Sequence, residues 1–341
     1  MTSQPSVEQS QAPQEEERED SATALRKDRD PDEKRRSDPE VSLANAPSEG
    51  ETISDYFAFE EIFARVLSTA DDELDATNKY LFWSGLGAGG AIGLTFLARV
   101  VFTDAAHEAE PGLLGNLLYP VGFLIIVLGR YQLFTENTLT PVVLVLTKIA
   151  SLRNLLRLWT VVLVANLVGA IGVAALLGYF DVLSPERLKK ALEISRHAYE
   201  TGWGSLFSKG MIAGWIVAAM VWLVHGGRDT VSKILFVWVL MYFVGVGGFF
   251  HVITSSVEVF FLAFRAPDVA FLPLFPNFVL PVLLGNIVGG VTFVAVLNYA
   301  QFAEHEDAQL FERYGDRLSW KDWAFGRNEQ RRQAEASTAR P

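Results

Sequence analysis

The hydrophobic and polar positions divide the chain into polar ends and a long apolar middle. The middle contains apolar stretches with no charged residue over about 18 or more positions, which is the length that a helix needs to cross a bilayer. These stretches predict six transmembrane spans, at residues 80–102, 113–146, 158–180, 210–224, 234–264 and 278–300. The pattern excludes a soluble enzyme.

The second and fifth spans are longer than one straight crossing. A continuous helix of about 30 residues would be roughly 45 Å long, whereas the hydrocarbon core of a bilayer is about 30 Å thick. Each of these spans also has a polar cluster near its middle, around Thr135 in the second and His251 in the fifth. Two half-helices joined by a short irregular loop, buried in protein or lining a cavity, explain both observations.

A repeated pattern links each long span to the span after it. The third span carries Asn-x-x-Gly at Asn166 and Gly169, and the sixth carries it at Asn286 and Gly289. Because each repeat unit has an odd number of spans, the second copy enters from the opposite side. The predicted fold class is therefore an all-α membrane protein, an inverted repeat in which spans two and five are broken. Alternatively, the two patterns are alike by chance, since Gly and Asn recur in packed membrane helices; we assign the four residues to helix packing.

The ends of the chain are polar. Residues 1–50 hold 13 acidic and 7 basic residues and no Phe, Trp or Tyr, so residues 1–53 are predicted to be a disordered acidic tail. Residues 54–78 predict an amphipathic surface helix, or else a plain linker helix. The six-span domain then occupies residues 79–302 and a polar tail residues 303–341, and residues 302–324 are expected to form a surface helix.

The loops between the spans indicate an orientation. Lys and Arg side chains favour both termini in the cytoplasm, although four basic residues at 181–206 run against the rule. No apolar signal-peptide segment follows Met1, which agrees with a cytoplasmic amino terminus.

Composition and charge exclude several partners and cofactors. The net charge of -11, without a dense Lys and Arg cluster, argues against a nucleic-acid partner. The absence of cysteine removes disulfides, thiolate chemistry and Cys-based metal sites. No Walker loop or nucleophile with its base is found either. We therefore expect no enzyme activity, no cofactor and no metal, and any transport must draw its energy from a gradient.

Of the five histidines, only His251 lies deep in an apolar stretch. An imidazole in that position is costly to charge unless an anion accompanies it, so an entering anion would favour its protonation. No second ligand lies at ligand spacing on the same segment, which argues against a haem or metal site. A pore function and a helix-packing donor are the two interpretations that remain.

Thr135 and Thr254 lie where the two half-helices would begin. The amino terminus of a helix carries a partial positive charge, so two that converge would attract an anion weakly, which suits fast permeation. Both threonines are also suited to cap these helices, and the two roles are compatible.

Three charged residues within the spans are unusual: Arg130, Glu136 and Glu258. Charged side chains in membrane segments usually face the protein interior or a cavity and find partners there. We expect a salt bridge of Arg130 with Glu258 or Glu136. Such an intramembrane charge network would either brace the two loops or line the pore.

At these residues the sequence resembles the formate/nitrite transporter family. The resemblance covers roughly residues 75–301 and rests on four segments: 132–138, which reads Gln-Leu-Phe-Thr-Glu-Asn-Thr; Trp159 with Val162, Asn166 and Gly169; 248–258; and 280–290. The loop at 132–138 together with His-Val-Ile-Thr-Ser-Ser-Val-Glu at 251–258 is similar to a branch of the family whose substrate is not settled.

The resemblance implies a homopentamer of aquaporin-like protomers in the bacterial inner membrane. Each protomer would have its own pore for small monovalent anions of weak acids, such as formate, nitrite, acetate or hydrosulfide. It also implies that His251 is the central pore histidine, that Thr135 is its hydrogen-bonding partner, and that the anion crosses as the neutral acid after protonation assisted by His251. The side chains implied at apolar constrictions are Phe134, Phe123, Tyr119 and Val244.

The chain departs from the family pattern at two positions. Characterised members of the family carry an acidic residue just before the histidine, and Phe250 occupies that position here. They commonly carry an asparagine on the fourth span, where this chain has Gly214. Two other functions stay open: a channel for a small neutral solute, and a membrane interaction or regulatory protein whose pore is plugged by the Arg130 and Glu258 network. Paired Asn-Pro-Ala motifs are absent, which counts against an aquaporin proper.

Overall fold

The computed structural model describes residues 57–303 and 317–326. Their regular secondary structure is helical, and the described residues contain no strand. The predicted disordered tail at 1–53 and most of the polar tail at 303–341 lie outside the described residues. In chain order the α-helices are α1 (Phe59–Asp75), α2 (Asn78–Ala105), α3 (Val121–Gly129), α4 (Thr140–Leu146), α5 (Leu152–Tyr179), α6 (Pro185–Tyr199), α7 (Trp203–Gly226), α8 (Thr230–Val246), α9 (Val252–Arg265), α10 (Leu280–Gly290), α11 (Leu297–Ala303) and α12 (Trp320–Phe325).

Within the described ranges, four helices are long and apolar enough to cross a membrane: Asn78–Ala105, Leu152–Tyr179, Trp203–Gly226 and Phe275–Phe302. Side chains cap two of them. The hydroxyl of Thr77 accepts a hydrogen bond from the Tyr80 amide at 3.2 Å before α2, and that of Ser151 accepts one from the Asn154 amide at 3.3 Å before α5. These caps pair amide groups that the first turn of a helix leaves free.

The helices are interrupted in the two stretches that the sequence marks as too long. The first has α3, then non-helical residues at 130–135, a 3-10 turn at Glu136–Thr138 and α4. Arg130 ends α3 with a left-handed φ of 55°. In the second stretch, α8 ends at Val246 and α9 begins at Val252, and Gly248 between them has a φ of 60° that glycine adopts without strain.

Two helix pairs approach so closely that their backbones touch. A side chain at Gly89 of α2 would overlap the Asn166 carbonyl oxygen of α5, and one at Gly289 of α10 would overlap the Met211 carbonyl oxygen of α7. Small residues allow membrane helices to approach in this way. The α2–α5 and α7–α10 pairs are therefore tightly packed helix pairs of the fold.

The structure has two ends, which we name by what they carry. The terminal face carries α1 and α12: Phe63 of α1 stacks on Phe302 at 4.0 Å between ring centroids, and the Trp323 indole donates to the Val145 carbonyl oxygen at 2.8 Å. The loop face, at the opposite end, carries α6 and the segment at 106–120. Arg187 of α6 pairs there with Asp104 of α2 at 3.4 Å.

Candidate functional site

A fully buried histidine lies where the two interruptions meet. The Nδ1 atom of His251 accepts a hydrogen bond from the Thr254 amide at 3.3 Å, so the side chain caps α9 and the proton of the neutral ring lies on Nε2. Nε2 then donates to the hydroxyl oxygen of Thr135 at 2.7 Å. This bond joins residues 116 positions apart and ties the first interruption to the second.

Buried aromatic rings surround this pair. The Phe123 ring packs edge-on against the His251 ring, with 4.9 Å between the ring centroids, and the Tyr119 ring stacks on Phe123 with 5.9 Å between centroids. Phe134, next to Thr135, packs edge-on against Trp159 at 5.7 Å. Val244 is buried on α8. The imidazole and the Thr135 hydroxyl are therefore polar groups in largely apolar surroundings.

The first interruption is held by the amide of Asn166 on α5. Its Nδ2 donates to the carbonyl oxygens of Gly85 at 2.7 Å and Gln132 at 2.9 Å, and its Oδ1 accepts from the Phe134 amide at 2.8 Å. The bonds to Gln132 and Phe134 satisfy backbone groups that have no helical partner, which a buried segment requires, and the bond to Gly85 ties them to α2.

Asn286 on α10 makes the same three bonds at the second interruption. Its Nδ2 donates to the carbonyl oxygens of Gly210 at 2.8 Å and Phe250 at 2.9 Å, and its Oδ1 accepts from the Val252 amide at 2.9 Å. Sequence reasoning assigned the two asparagines to helix packing and missed this function. The available signal was their near-constant spacing from the threonines of the two clusters.

The glycines of the two patterns lie at helix contacts. A Cβ at Gly169 would overlap the Leu86 carbonyl oxygen of α2, and one at Gly289 would overlap that of Met211 on α7. Thr254, the other predicted site residue, is buried with its hydroxyl 3.2 Å from Nδ1 of His251.

The predicted salt bridge of Arg130 with Glu258 or Glu136 is wrong. Glu258 instead pairs with Arg99 of α2, whose Nη1 lies 2.8 Å from Oε1, because α2 packs against α9. Arg130 lies past the end of α3 with its side chain exposed, and Glu136 keeps a buried Oε1 with no hydrogen-bond partner in the part of the chain that the structure describes. The three charges therefore form no common network.

A cavity of about 470 Å³ on the loop face is lined by three cationic side chains, those of Arg99, Lys190 and Lys209, none of which the sequence marked as site residues. Lys209 lies 5.5 Å from the ring centroid of Phe250. Tyr119, Ser255 and Glu258 also line this cavity, which joins it to the residues around His251.

The sequence model of the formate/nitrite transporter family matches residues 60–300. The chain belongs to the formate/nitrite transporter family. The resemblance seen in the sequence is thereby confirmed, together with a membrane transport function at the level of the family.

Two relatives show how far the likeness extends. The inner membrane protein YfdC of Escherichia coli (strain K12) is 32% identical over 245 residues, which cover 70% of this chain and 77% of that protein. The formate channel BtFdhC of Bacillus thuringiensis is 28% identical over 246 residues, which cover 71% of this chain and 94% of that channel.

Solved structures share the fold. A pentameric formate channel with formate bound matches with a TM-score of 0.58 and 25% identity, over 66% of this chain and 98% of that one. An FNT family ion channel matches with a TM-score of 0.64 and 18% identity, over 72% and 99% of the two chains. The all-helical fold of the described residues is thus the fold of these channels.

Proposed function

We propose that this protein is a channel or transporter of the bacterial inner membrane for small monovalent anions of weak acids, such as formate, nitrite or acetate. The observation that carries the proposal is the buried 2.7 Å hydrogen bond between His251 and Thr135, set among apolar rings where two helices are interrupted. Relatives that are formate channels, and YfdC as an inner membrane protein, support the substrate class and the membrane.

We infer that the domain has six spans in an inverted repeat. The four long helices supply four of them, and α3 with α4 and α8 with α9 supply the broken second and fifth spans. Support comes from Asn166 and Asn286, which fasten the two interruptions through equivalent bonds on equivalent helices. The pentameric formate channel supports a homopentamer. The terminal face would be cytoplasmic, as the loop charges indicate.

The geometry suggests how an anion is received. Because the Thr135 hydroxyl oxygen accepts the bond from His251, its own hydrogen is available to an oxygen of the anion. Apolar rings on both sides disfavour a bare charge. We propose that a proton from the bulk solution is transferred to the anion at this point, assisted by His251, which ends the step neutral as it began, and that the neutral acid then passes the rings at Phe123 and Phe134.

The test is flux through proteoliposomes. Formate, acetate, nitrite and glycerol are offered at two pH values to the unchanged protein and to His251→Ala. The proposal requires pH-dependent anion flux that the variant loses. Glycerol flux without anion flux would indicate the neutral-solute channel. No flux through folded protein would favour an interaction or regulatory function, although the Arg130–Glu258 bridge proposed to plug the pore is not formed.

A further inference from the structure

The buried ion pair of Arg99 and Glu258 has no part in the proposed passage at His251. It lies in the loop-face cavity of about 470 Å³, which both residues line. The Arg99 side chain keeps 16% of its surface exposed, and Glu258 keeps 3%. The guanidinium is therefore more accessible from the cavity than the carboxylate.

Glu258 uses only part of the guanidinium. Among the described residues, Arg99 makes one side-chain hydrogen bond, from Nη1 to Oε1, and its Nε is buried without a partner. A guanidinium has five N–H groups in a planar fork, so donors remain on the group after Glu258 is bound. A buried donor without a partner is costly, so the guanidinium is short of hydrogen-bond acceptors where it is held.

The pair also lies next to the pore residues. The Arg99 guanidinium carbon is 6.0 Å from the ring centroid of Tyr119, and Tyr119 stacks on Phe123, which touches His251. Ser255 lines the cavity one helical turn after His251. An anion held at Arg99 would have the aromatic constriction directly ahead of it.

We propose that Arg99 is a binding residue for planar anions with two oxygens, which accept from the N–H groups that Glu258 leaves free. The inference deepens the proposed function and rests on it for its physiological meaning. A carboxylate or a nitrite ion matches the fork of a guanidinium with two parallel hydrogen bonds, whereas a spherical anion such as chloride makes no paired contact.

Glu258 sets the strength of this site. An unpaired guanidinium in a membrane protein would hold an anion tightly and slow its release, and conduction requires that the ion leave. A carboxylate 2.8 Å away cancels most of the charge and keeps the fork in place. The pair then recognises the shape of the anion more than its charge.

The experiment measures binding and transport on the same full-length protein. Binding of ¹³C-formate is followed by NMR with nitrite and chloride as competitors, and formate flux is measured in proteoliposomes. The variants are Arg99→Lys, which keeps the charge without the fork, Glu258→Gln, and the double variant Arg99→Gln with Glu258→Gln, which removes both charges together. Lys189→Gln is the control, because Lys189 is 78% exposed and does not line the cavity.

Arg99→Lys should lower the preference for formate over chloride roughly ten-fold, since one charge-assisted hydrogen bond is lost. The double variant should also lose the preference. Glu258→Gln should bind formate several-fold more tightly and release it more slowly, while the control matches the unchanged protein. An unaltered preference in both Arg99→Lys and the double variant would overturn the inference.

The two measurements separate this inference from the proposed function. If the unchanged protein binds formate through Arg99 but transports no anion, the binding site stands and the proposed function fails. If it transports formate and no Arg99 variant alters binding or preference, the function stands and Arg99 is no binding residue. A protein that neither binds nor transports formate would overturn both.

Discussion

Asn286 on α10 offers a sharp test of how the second interruption is held. Asn286 makes three hydrogen bonds, to two carbonyl oxygens and one amide, at 2.8 to 2.9 Å. Interhelical hydrogen bonds in membrane proteins average about 0.6 kcal/mol, so the three bonds contribute about 2 kcal/mol. Asn286→Ala would also leave the Phe250 carbonyl oxygen and the Val252 amide unpaired, whereas the Gly210 carbonyl oxygen keeps its partner within α7. A buried unpaired group costs about 1 to 3 kcal/mol. We therefore expect a loss between about 2 kcal/mol, if water reaches the two groups, and about 6 kcal/mol, if both stay dry.

The assay is reversible unfolding of the purified protein in mixed micelles, followed by circular dichroism and Trp fluorescence. Asn277→Ala is the matched control, because Asn277 lies in the same span with its side chain exposed. The control should stay within about 0.5 kcal/mol of the unchanged protein. A loss below about 0.5 kcal/mol for Asn286→Ala would refute the reasoning, because the three hydrogen bonds would then make no net contribution to stability.

Two further predictions concern a helix contact and a surface helix. Gly289→Ala should separate α10 from α7 at Met211 and lower the free energy of unfolding by about 1 to 3 kcal/mol. Gly172→Ala is the control, because a Cβ there meets nothing within 4 Å, and it should be nearly neutral. Thermal unfolding in detergent compares the two variants. Burial raises the pKa of Glu73 on α1 from 4.5 to about 7, although Thr140 donates to it at 2.6 Å. The contribution of the protonated carboxyl to stability is thus full below about pH 4.5 and is lost as pH rises through about 7. Glu73→Gln should therefore flatten the pH dependence of the melting temperature over this range. An unchanged pH profile in the variant would contradict the prediction.

Much of the site could be predicted from the sequence because it depends on local pattern. A single histidine in an apolar stretch, with a threonine cluster in the other long stretch, marked His251 and Thr135. Their contact across 116 residues agrees with the proposed inverted repeat, in which two broken helices that face each other would bring their middles together.

The ion pair could not be predicted because its geometry is set by packing. Arg99 and Glu258 are 159 residues apart, and Arg99 looks in the sequence like a charge near the end of a span. Arg130 was the more conspicuous residue because it interrupts an apolar stretch. The left-handed turn at the end of α3 leaves it exposed, and no periodicity in the sequence indicates such a turn.

The central claim is that an anion passes at the His251–Thr135 pair. The most direct measurement is the pH dependence of formate flux into proteoliposomes for the unchanged protein and for His251→Ala, with His107→Asn as control. His107 is exposed with a left-handed φ of 55°, which asparagine tolerates. We predict that His251→Ala loses flux or its pH dependence while the control retains both. Equal flux and an equal pH profile in all three proteins would contradict the account.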